Sequence, residues 1–450
     1  MRKLTIVVTL FISLQLLAQN AYVPMTLSME ERATVIDSWL NEKITTVLPS
    51  LMERSGIDMW VIIAREYNED PVIKTMLPAT WQSARRTTML VIYNPGAGKP
   101  LETMAMARYG VGELFKKVWD KEQQPDQWKA LAELIAEKNP KKIGVNKSST
   151  FALADGISST HYDMLMNALN NDLKKRVTSA ENLAIGWLET RTTSEIIAYQ
   201  HIVRMAHQII AEGFSEKVVH PGITTTDDIV WWYRDRIRAL GFTTWFHPSV
   251  SIQRKDPESF EHLRAFSDRP EQQVVMPGDL LHVDFGITYL RLNTDTQQHA
   301  YVLKRGENDV PDFLKEAFKR GNRVQDILTT NFKTGRTGNE ILKASLDQCE
   351  KENLKGVIYT HPIGYHGHAA GPTIGLWDQQ GGVPGSGDYP VYPNTAYSIE
   401  LNAGVFITEW DKEIRIMLEE DALFDGETVQ YIDGRQTEIM TIPRNLPPNE

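Results

Sequence analysis

Apolar residues recur at helical spacing at Ile36, Leu40, Ile44, Leu48 and Leu51, and Gly56 then offers a stop. Residues 57–64 (IDMWVIIA) and 88–93 (TMLVIY) read as strands, the second closed by Asn94-Pro95-Gly96. A helix is expected over 128–137, ahead of a short strand-like run at 142–145. Between the first two strands, residues 66–86 show no clear periodicity and read as an irregular or functional loop. Helices alternating with short strands make the segment 21–187 an α/β domain.

A second unit begins near Thr190 and extends over 188–450. Thr192 with Glu195 fits a capping box, and Ile196, Tyr199, Val203, Ala206 and Ile210 then form a helical stripe. After the break at His220-Pro221-Gly222, Thr224 and Thr225 are candidate caps for a helix carrying Ile229, Trp232, Tyr233 and Ile237. A β-rich segment starts around Phe242. In residues 280–285, Leu281, Val283 and Phe285 alternate with His282 and Asp284, the pattern of a strand with one apolar and one polar face.

The start of the chain differs from the rest. Met1-Arg2-Lys3, a mostly apolar stretch over 4–17 and Ala18 read as a secretory signal within residues 1–20, so the protein is expected to be exported, periplasmic or secreted. No later apolar run is long enough to span a bilayer, which gives the expectation of no membrane partner once the signal is removed. The formal charge of −10, without a basic run, argues against nucleic acid as a partner. A single cysteine, Cys349, excludes an intrachain disulfide, and its amphipathic setting reads as a buried structural thiol.

Candidate chemistry gathers in the C-terminal part. A carboxylate in a strand, such as Asp284, is costly to bury unless something positive compensates it. Asp295 follows eleven residues later, an odd offset that would place the two acids on opposite faces of a flat strand unless a turn or bulge realigns them. As a pair alone they also fit a turn residue and a hydrogen-bonded edge residue. The segment HPIGYHGH then packs three imidazoles, His361, His366 and His368, among glycines. Glu400 lies in the strand-like run YSIEL, and Glu419, Glu420 and Asp421 lie within another apolar stretch.

These stretches, VDFG, NTD, HPIGYHGH, YSIE and EEDALF, resemble in order and approximate spacing the metal-ligand motifs of the pita-bread metallopeptidases, which include methionine aminopeptidase, aminopeptidase P and prolidase. The N-terminal half resembles the smaller domain of aminopeptidase P, prolidase and creatinase. The resemblance implies an α+β fold: a C-terminal pita-bread domain with a curved antiparallel sheet, preceded by a smaller creatinase-like α/β domain. It implies two divalent metal ions held by Asp284, Asp295, His361, Glu400 and Glu420, with Glu419 as the alternative to Glu420. Glu400 is implied as the proton relay and His368 as the oxyanion donor. A further active-site histidine ahead of the first Asp is implied, His262 or, as runner-up, His247. An oxygen-rich set with one imidazole favours manganese, with zinc, cobalt or iron as alternatives.

The implied function is hydrolysis of short peptides by an Xaa-Pro aminopeptidase or a dipeptidase, and a homodimer is implied as well. The alternatives are a non-peptide hydrolase or lyase acting on another small molecule, and a catalytically silent binding protein. Departures from the family pattern fall around the ligands: Gln297 and Gln298 follow Asp295-Thr296, Leu401 follows Glu400, Ala369 follows His368, and Leu418 stands two residues before Glu420. They place the preference for proline in question rather than the ligands.

Overall fold

The computed structural model describes residues 26–96, 98–255 and 273–444. The expected signal and His262 lie outside them. A helix over Met29–Glu42, capped by Ser28 and Glu31, runs through a short π turn at Lys43–Val47 into a second helix, Leu48–Ser55, which ends on Gly56 in the left-handed region. Six strands follow: β1 (Met59–Arg65), β2 (Thr87–Tyr93), β3 (Glu102–Met106), β4 (Lys116–Lys117), β5 (Ile143–Val145) and β6 (Val177–Ser179). They form one mixed sheet in the order β4-β3-β2-β1-β5-β6. Strand β1 reads as an unbroken apolar run because both faces are covered: Trp60, Ile62 and Ala64 enter one core, Met59, Val61 and Ile63 another. The aperiodic stretch after β1 contains a short helix, Pro71–Met76, capped by the Asp70 carboxylate and preset by Pro71 at its start. Six residues are too few to print a 3.6-residue period.

The rest of the chain folds into four sheets. Strands β7 (Ser249–Gln253), β8 (Leu280–Phe285), β9 (Thr288–Tyr289), β10 (Leu292–Asn293) and β11 (Thr296–Val302) come first. Then follow β12 (Lys355–Ile358), β13 (His361–Ile363), β14 (Thr395–Ser398), β15 (Leu401–Ile407), β16 (Lys412–Leu418), β17 (Asp421–Phe424), β18 (Val429–Tyr431) and β19 (Met440–Ile442). The sheets are β19-β11-β8-β7, β12-β15-β16, β13-β14-β17-β18 and the hairpin β9-β10. All these pairings are antiparallel except β11 with β19. A backbone bridge between Gln297 and Glu419 joins the first sheet to the end of β16. The helices Thr193–Gly213 and Asp312–Thr330 pack on this β surface, the first against β8 and β11, the second against β15 and β16. Cys349 is buried on the helix Gly338–Lys351. No helix among the described residues is long and apolar enough to cross a membrane.

The two halves share buried structure. Ala370 and Tyr389 belong to the core that contains β1 and the helix Glu181–Glu189, and Trp39 belongs to the core of the helix Thr193–Gly213. Between them lies a set of fully buried charges: Lys43, Arg191, Glu195 and Glu189. The Tyr365 ring sits between Lys43 and Arg191, at 4.4 and 4.3 Å, and its hydroxyl donates to Glu195 at 2.5 Å. Burial and the neighbouring Arg191 push the Lys43 amine well below its ordinary range, opposed by Glu195.

Burial pushes the Glu189 carboxyl up to about 8, against the pull of Arg54, whose Nη2 lies 3.6 Å away. An acid with a raised pKa holds its proton more tightly when folded. Its contribution is therefore favourable below the ordinary carboxylate range and is lost as pH rises through about 8. Relative to Glu189→Gln, the wild-type chain should lose on the order of 2–4 kcal/mol of stability as pH rises across that window. Denaturant unfolding at several pH values checks this; a pH-independent difference would place the ionisation elsewhere.

Candidate metal centre

The odd spacing of Asp284 and Asp295 is resolved by the β9-β10 hairpin, whose turn residues Leu290 and Arg291 both have positive φ, 51° and 66°. Neither is glycine, so the turn is held by other means. Leu290 is buried in the core, and Arg291 Nη1 donates to the Leu77 carbonyl at 2.9 Å, tying the hairpin to the N-terminal half. The excursion returns the chain so that Asp295 enters β11 beside Asp284 on β8. Across the sheet Ser249, Asp284 and Gln297 form one row, and Ser251, His282 and His299 the next. These polar residues share one face, opposite Val283 and Phe285, as the alternation predicts.

Ligand atoms of Asp284, Asp295 and Glu419 lie within 4.8 Å of one another, as do those of His361, Glu400 and Glu419, and of Asp295, His361 and His368. His361 is oriented by the Pro362 carbonyl, 2.9 Å from its Nδ1, so Nε2 is left to face the carboxylates. From Nε2 to Asp295 Oδ2 and to Glu419 Oε1 is 3.6 Å, and to Glu400 Oε2 3.9 Å. Nε2 and Asp295 Oδ1 are buried without a hydrogen-bond partner. Orphaned acceptors of this kind, in a set of four carboxylates and an imidazole, fit divalent cations. Burial, followed by the charges of Glu419, Asp284 and Glu400, pushes the Asp295 carboxyl well above its ordinary range. Burial, then Glu419 and Asp284, does the same to Glu400, with a hydrogen bond from Gln297 opposing.

Glu420 is not among the converging groups; Glu419 is. In an extended segment adjacent side chains point to opposite sides. Ile414, Ile416 and Leu418 face the core, and Glu420 shares their parity, so Glu419 faces the carboxylates. Its Oε1 accepts from Ser398 Oγ at 2.5 Å and its Oε2 from Gln297 Nε2 at 2.7 Å. The resemblance implies Glu420 with Glu419 as the alternative, and the parity of the strand brings Glu419 to the cluster. Glu420 Oε2 meets His207 Nε2 at 2.7 Å, and its Oε1 accepts from Gln298 Nε2 and the Gln436 amide. His207 Nδ1 lies 3.2 Å from Asp433, which Arg204 also holds. His366 does not join the cluster; burial, with Arg191 and Lys74 near it, pushes its imidazole down to about 4.

The carboxylates open onto a cavity of about 620 Å³, walled by Trp245, Phe246, His247, Tyr359, Leu376 and Trp377. His368 faces it, 5.0 Å from the Trp245 ring and 4.6 Å from His361, centroid to centroid. His247 lines the wall, with its Nδ1 3.1 Å from Arg234 Nη1. Trp245, which sequence reasoning left unassigned, fastens two parts of the site. Its Nε1 donates to the Thr294 carbonyl at 3.0 Å, beside Asp295, and its ring lies so close to Gly367 that a Cβ there would be 2.2 Å away. Only glycine fits between His366 and His368 with the indole in place.

A family model, metallopeptidase family M24, matches residues 200–425, just over half of the chain, a span that includes all six converging residues, Asp284, Asp295, His361, His368, Glu400 and Glu419. The chain belongs to metallopeptidase family M24. The M24 chain is similar in structure to an X-Pro aminopeptidase from Thermotoga maritima MSB8, at 18% identity and a TM-score of 0.59, over 86% of this chain and 99% of that one. It is similar to dipeptidase PepE from Mycobacterium ulcerans, at 17% identity and a TM-score of 0.58, over 91% and 99% of the two chains. A third likeness is to an Xaa-Pro dipeptidase from Bacillus anthracis, at 18% identity and a TM-score of 0.53, over 92% and 100%. At these identities the likeness speaks to the fold, which is the expected pita-bread architecture preceded by an α/β sheet. No curated protein matches the M24 chain by sequence.

Burial alone would lower the His207 pKa, but Glu420 and Asp433 on its two sides raise it to about 10. Its charge therefore stabilises the fold fully below the ordinary imidazole range, and that stabilisation is lost as pH rises through about 10. His207→Leu should cost roughly 3 kcal/mol near neutral pH, the cost of stranding a buried partner, and the gap should narrow as pH rises. Chemical denaturation with NMR titration of the imidazole checks this; an imidazole that titrates below pH 8 contradicts it.

Proposed function

We propose that this M24 protein is a two-metal hydrolase of short peptides, acting at Xaa-Pro bonds as an aminopeptidase or dipeptidase. The observation that carries the reading is the convergence of Asp284, Asp295, His361, Glu400 and Glu419 around the orphaned His361 Nε2 and Asp295 Oδ1. Those five residues hold the ions, with Asp295 and Glu419 central to the set. The oxygen-rich donors favour manganese. Two such cations supply a hydroxide at neutral pH and polarise the scissile carbonyl.

The chain's own residues do the rest. Glu400, whose Oε2 lies 3.9 Å from His361 Nε2, would take a proton from the attacking water and return it to the leaving nitrogen. Burial, with His361 beside it, lowers the His368 imidazole to about 4, so it stays neutral at physiological pH. A neutral imidazole still donates one N–H, here to the carbonyl oxygen as negative charge develops on it. Trp245, Phe246 and Trp377 exclude water and pack against an apolar side chain or prolyl ring. His247 is the active-site histidine ahead of Asp284 among the described residues. Export and homodimer formation belong to the same reading.

Titration calorimetry of the metal-free protein with Mn²⁺ should give two ions per chain. Affinity should rise with pH, because Asp295 and Glu400 must release their protons to solvent before they can bind the ions. Glu419→Ala should abolish tight binding of at least one ion and the cleavage of Xaa-Pro peptides, while Glu420→Ala keeps the stoichiometry. Metal binding without cleavage of any short peptide would restrict the site to a non-peptide substrate. A wild-type chain that binds no ion sinks the proposal.

A further inference from the structure

Two of the converging carboxylates, Glu400 and Glu419, are both bonded to one neutral side chain. Gln297 Nε2 donates to Glu400 Oε1 at 2.6 Å and to Glu419 Oε2 at 2.7 Å. Carboxylates ionised for metal binding only accept, so the amide nitrogen, not the oxygen, must face them. That fixes Gln297 Oε1 toward His282 Nε2, 2.8 Å away, and Nε2 of that imidazole must carry its proton. Nδ1 is then the acceptor for the Ser251 hydroxyl at 3.3 Å. The chain of bonds has one consistent direction: Ser251 to His282, His282 to Gln297, Gln297 to the two acids.

This arrangement selects oxygens. Gln297 holds Oε1 of Glu400 and Oε2 of Glu419, and Ser398 Oγ holds Glu419 Oε1 at 2.5 Å, which together turn Glu400 Oε2 and Glu419 Oε1 toward His361 Nε2, at 3.9 and 3.6 Å. Gln297 is 3% exposed, and its backbone amide donates to the Glu419 carbonyl at 2.9 Å, so its anchor is the residue it positions. Lysine or arginine would supply the same donors with a positive charge that opposes cation binding. An amide gives two donors and no charge.

We infer that Gln297, held by His282, is a positioning residue that sets which oxygens of Glu400 and Glu419 are offered to the metal ions. The inference rests on the two-ion reading above. Expected for Gln297→Leu is a loss of Mn²⁺ affinity of about 10- to 100-fold, the usual cost of removing a group that orients a ligand. The d–d spectrum of the Co²⁺-loaded protein should shift, while the metal-free chain keeps its circular dichroism. His282→Leu should give a smaller loss, and the double variant should fall short of the sum of the two, because His282 and Gln297 lie on one chain of bonds to the acids. In the metal-free wild type, ¹⁵N shifts should show His282 protonated at Nε2. Unchanged affinity and Co²⁺ spectrum in Gln297→Leu overturn the inference while leaving the two-ion reading intact. So do fully additive losses in the cycle, or an Nε2 that carries no proton. A wild type that binds no metal overturns the two-ion reading itself.

Discussion

Mutual repulsion among buried acids is the constraint around which the C-terminal half is arranged. Asp284, Asp295, Glu400 and Glu419 crowd one space, and burial drives Asp295 and Glu400 toward their protonated forms. Such a group is tolerated where donors hold several of its oxygens. Ser398 and Gln297 take two oxygens of Glu419, Gln297 takes one of Glu400, and the backbone amide of Asp295 donates to Asp421 at 3.2 Å. Asp295 Oδ1 is buried among them without a hydrogen-bond partner. A second pair of acids, Glu420 and Asp433, is compensated separately by His207, so the two negative clusters do not compete for one cation.

Much of this was legible in the sequence, because periodicity reports burial. The capping box at Thr192 and Glu195 and the helix after Thr225 are where hydrophobic spacing puts them. The strands around Val61 and Val91 follow from continuous apolar runs, and β8 from strict alternation. Asp284, Asp295, His361 and Glu400, which the family resemblance implies as ligands, do converge, and so does Glu419, the stated alternative to Glu420. What escaped was decided between strands. Two adjacent acids such as Glu419 and Glu420 differ only in parity, and motif resemblance alone does not choose between them. Gln297 meets Glu400 and Glu419, Ser398 meets Glu419, and Trp245 meets the Thr294 carbonyl, each across more than 20 positions, so nothing local in the sequence marks these contacts.

The N-terminal half bears on the site without contributing a ligand. Tyr365 lies inside the histidine segment, yet its ring is gripped by Lys43 from the first helical run and by Arg191 from the segment between the halves. Arg291 reaches from the hairpin before Asp295 to the carbonyls of Leu77 and Pro78. Both segments that aim ligands are thus fastened to residues that precede position 192. Fixed anchors of this kind keep ligand atoms within tenths of an ångström, which is what a two-ion site demands.

The pairing of β11 has a consequence for when the centre comes into being. This strand, which follows Asp295 and carries Gln297, is flanked by β8 on one side and by β19, the last strand among the described residues, on the other. Glu419 itself arrives late in synthesis, long after Asp284 has left the ribosome. A partial chain therefore offers scattered acids rather than a cage, and loading must follow completion of the fold. Protein sites of this donor type discriminate weakly among divalent ions, so availability decides occupancy. The ion that fills the centre is then chosen by the surroundings in which the C-terminal strand docks, not by those in which translation begins.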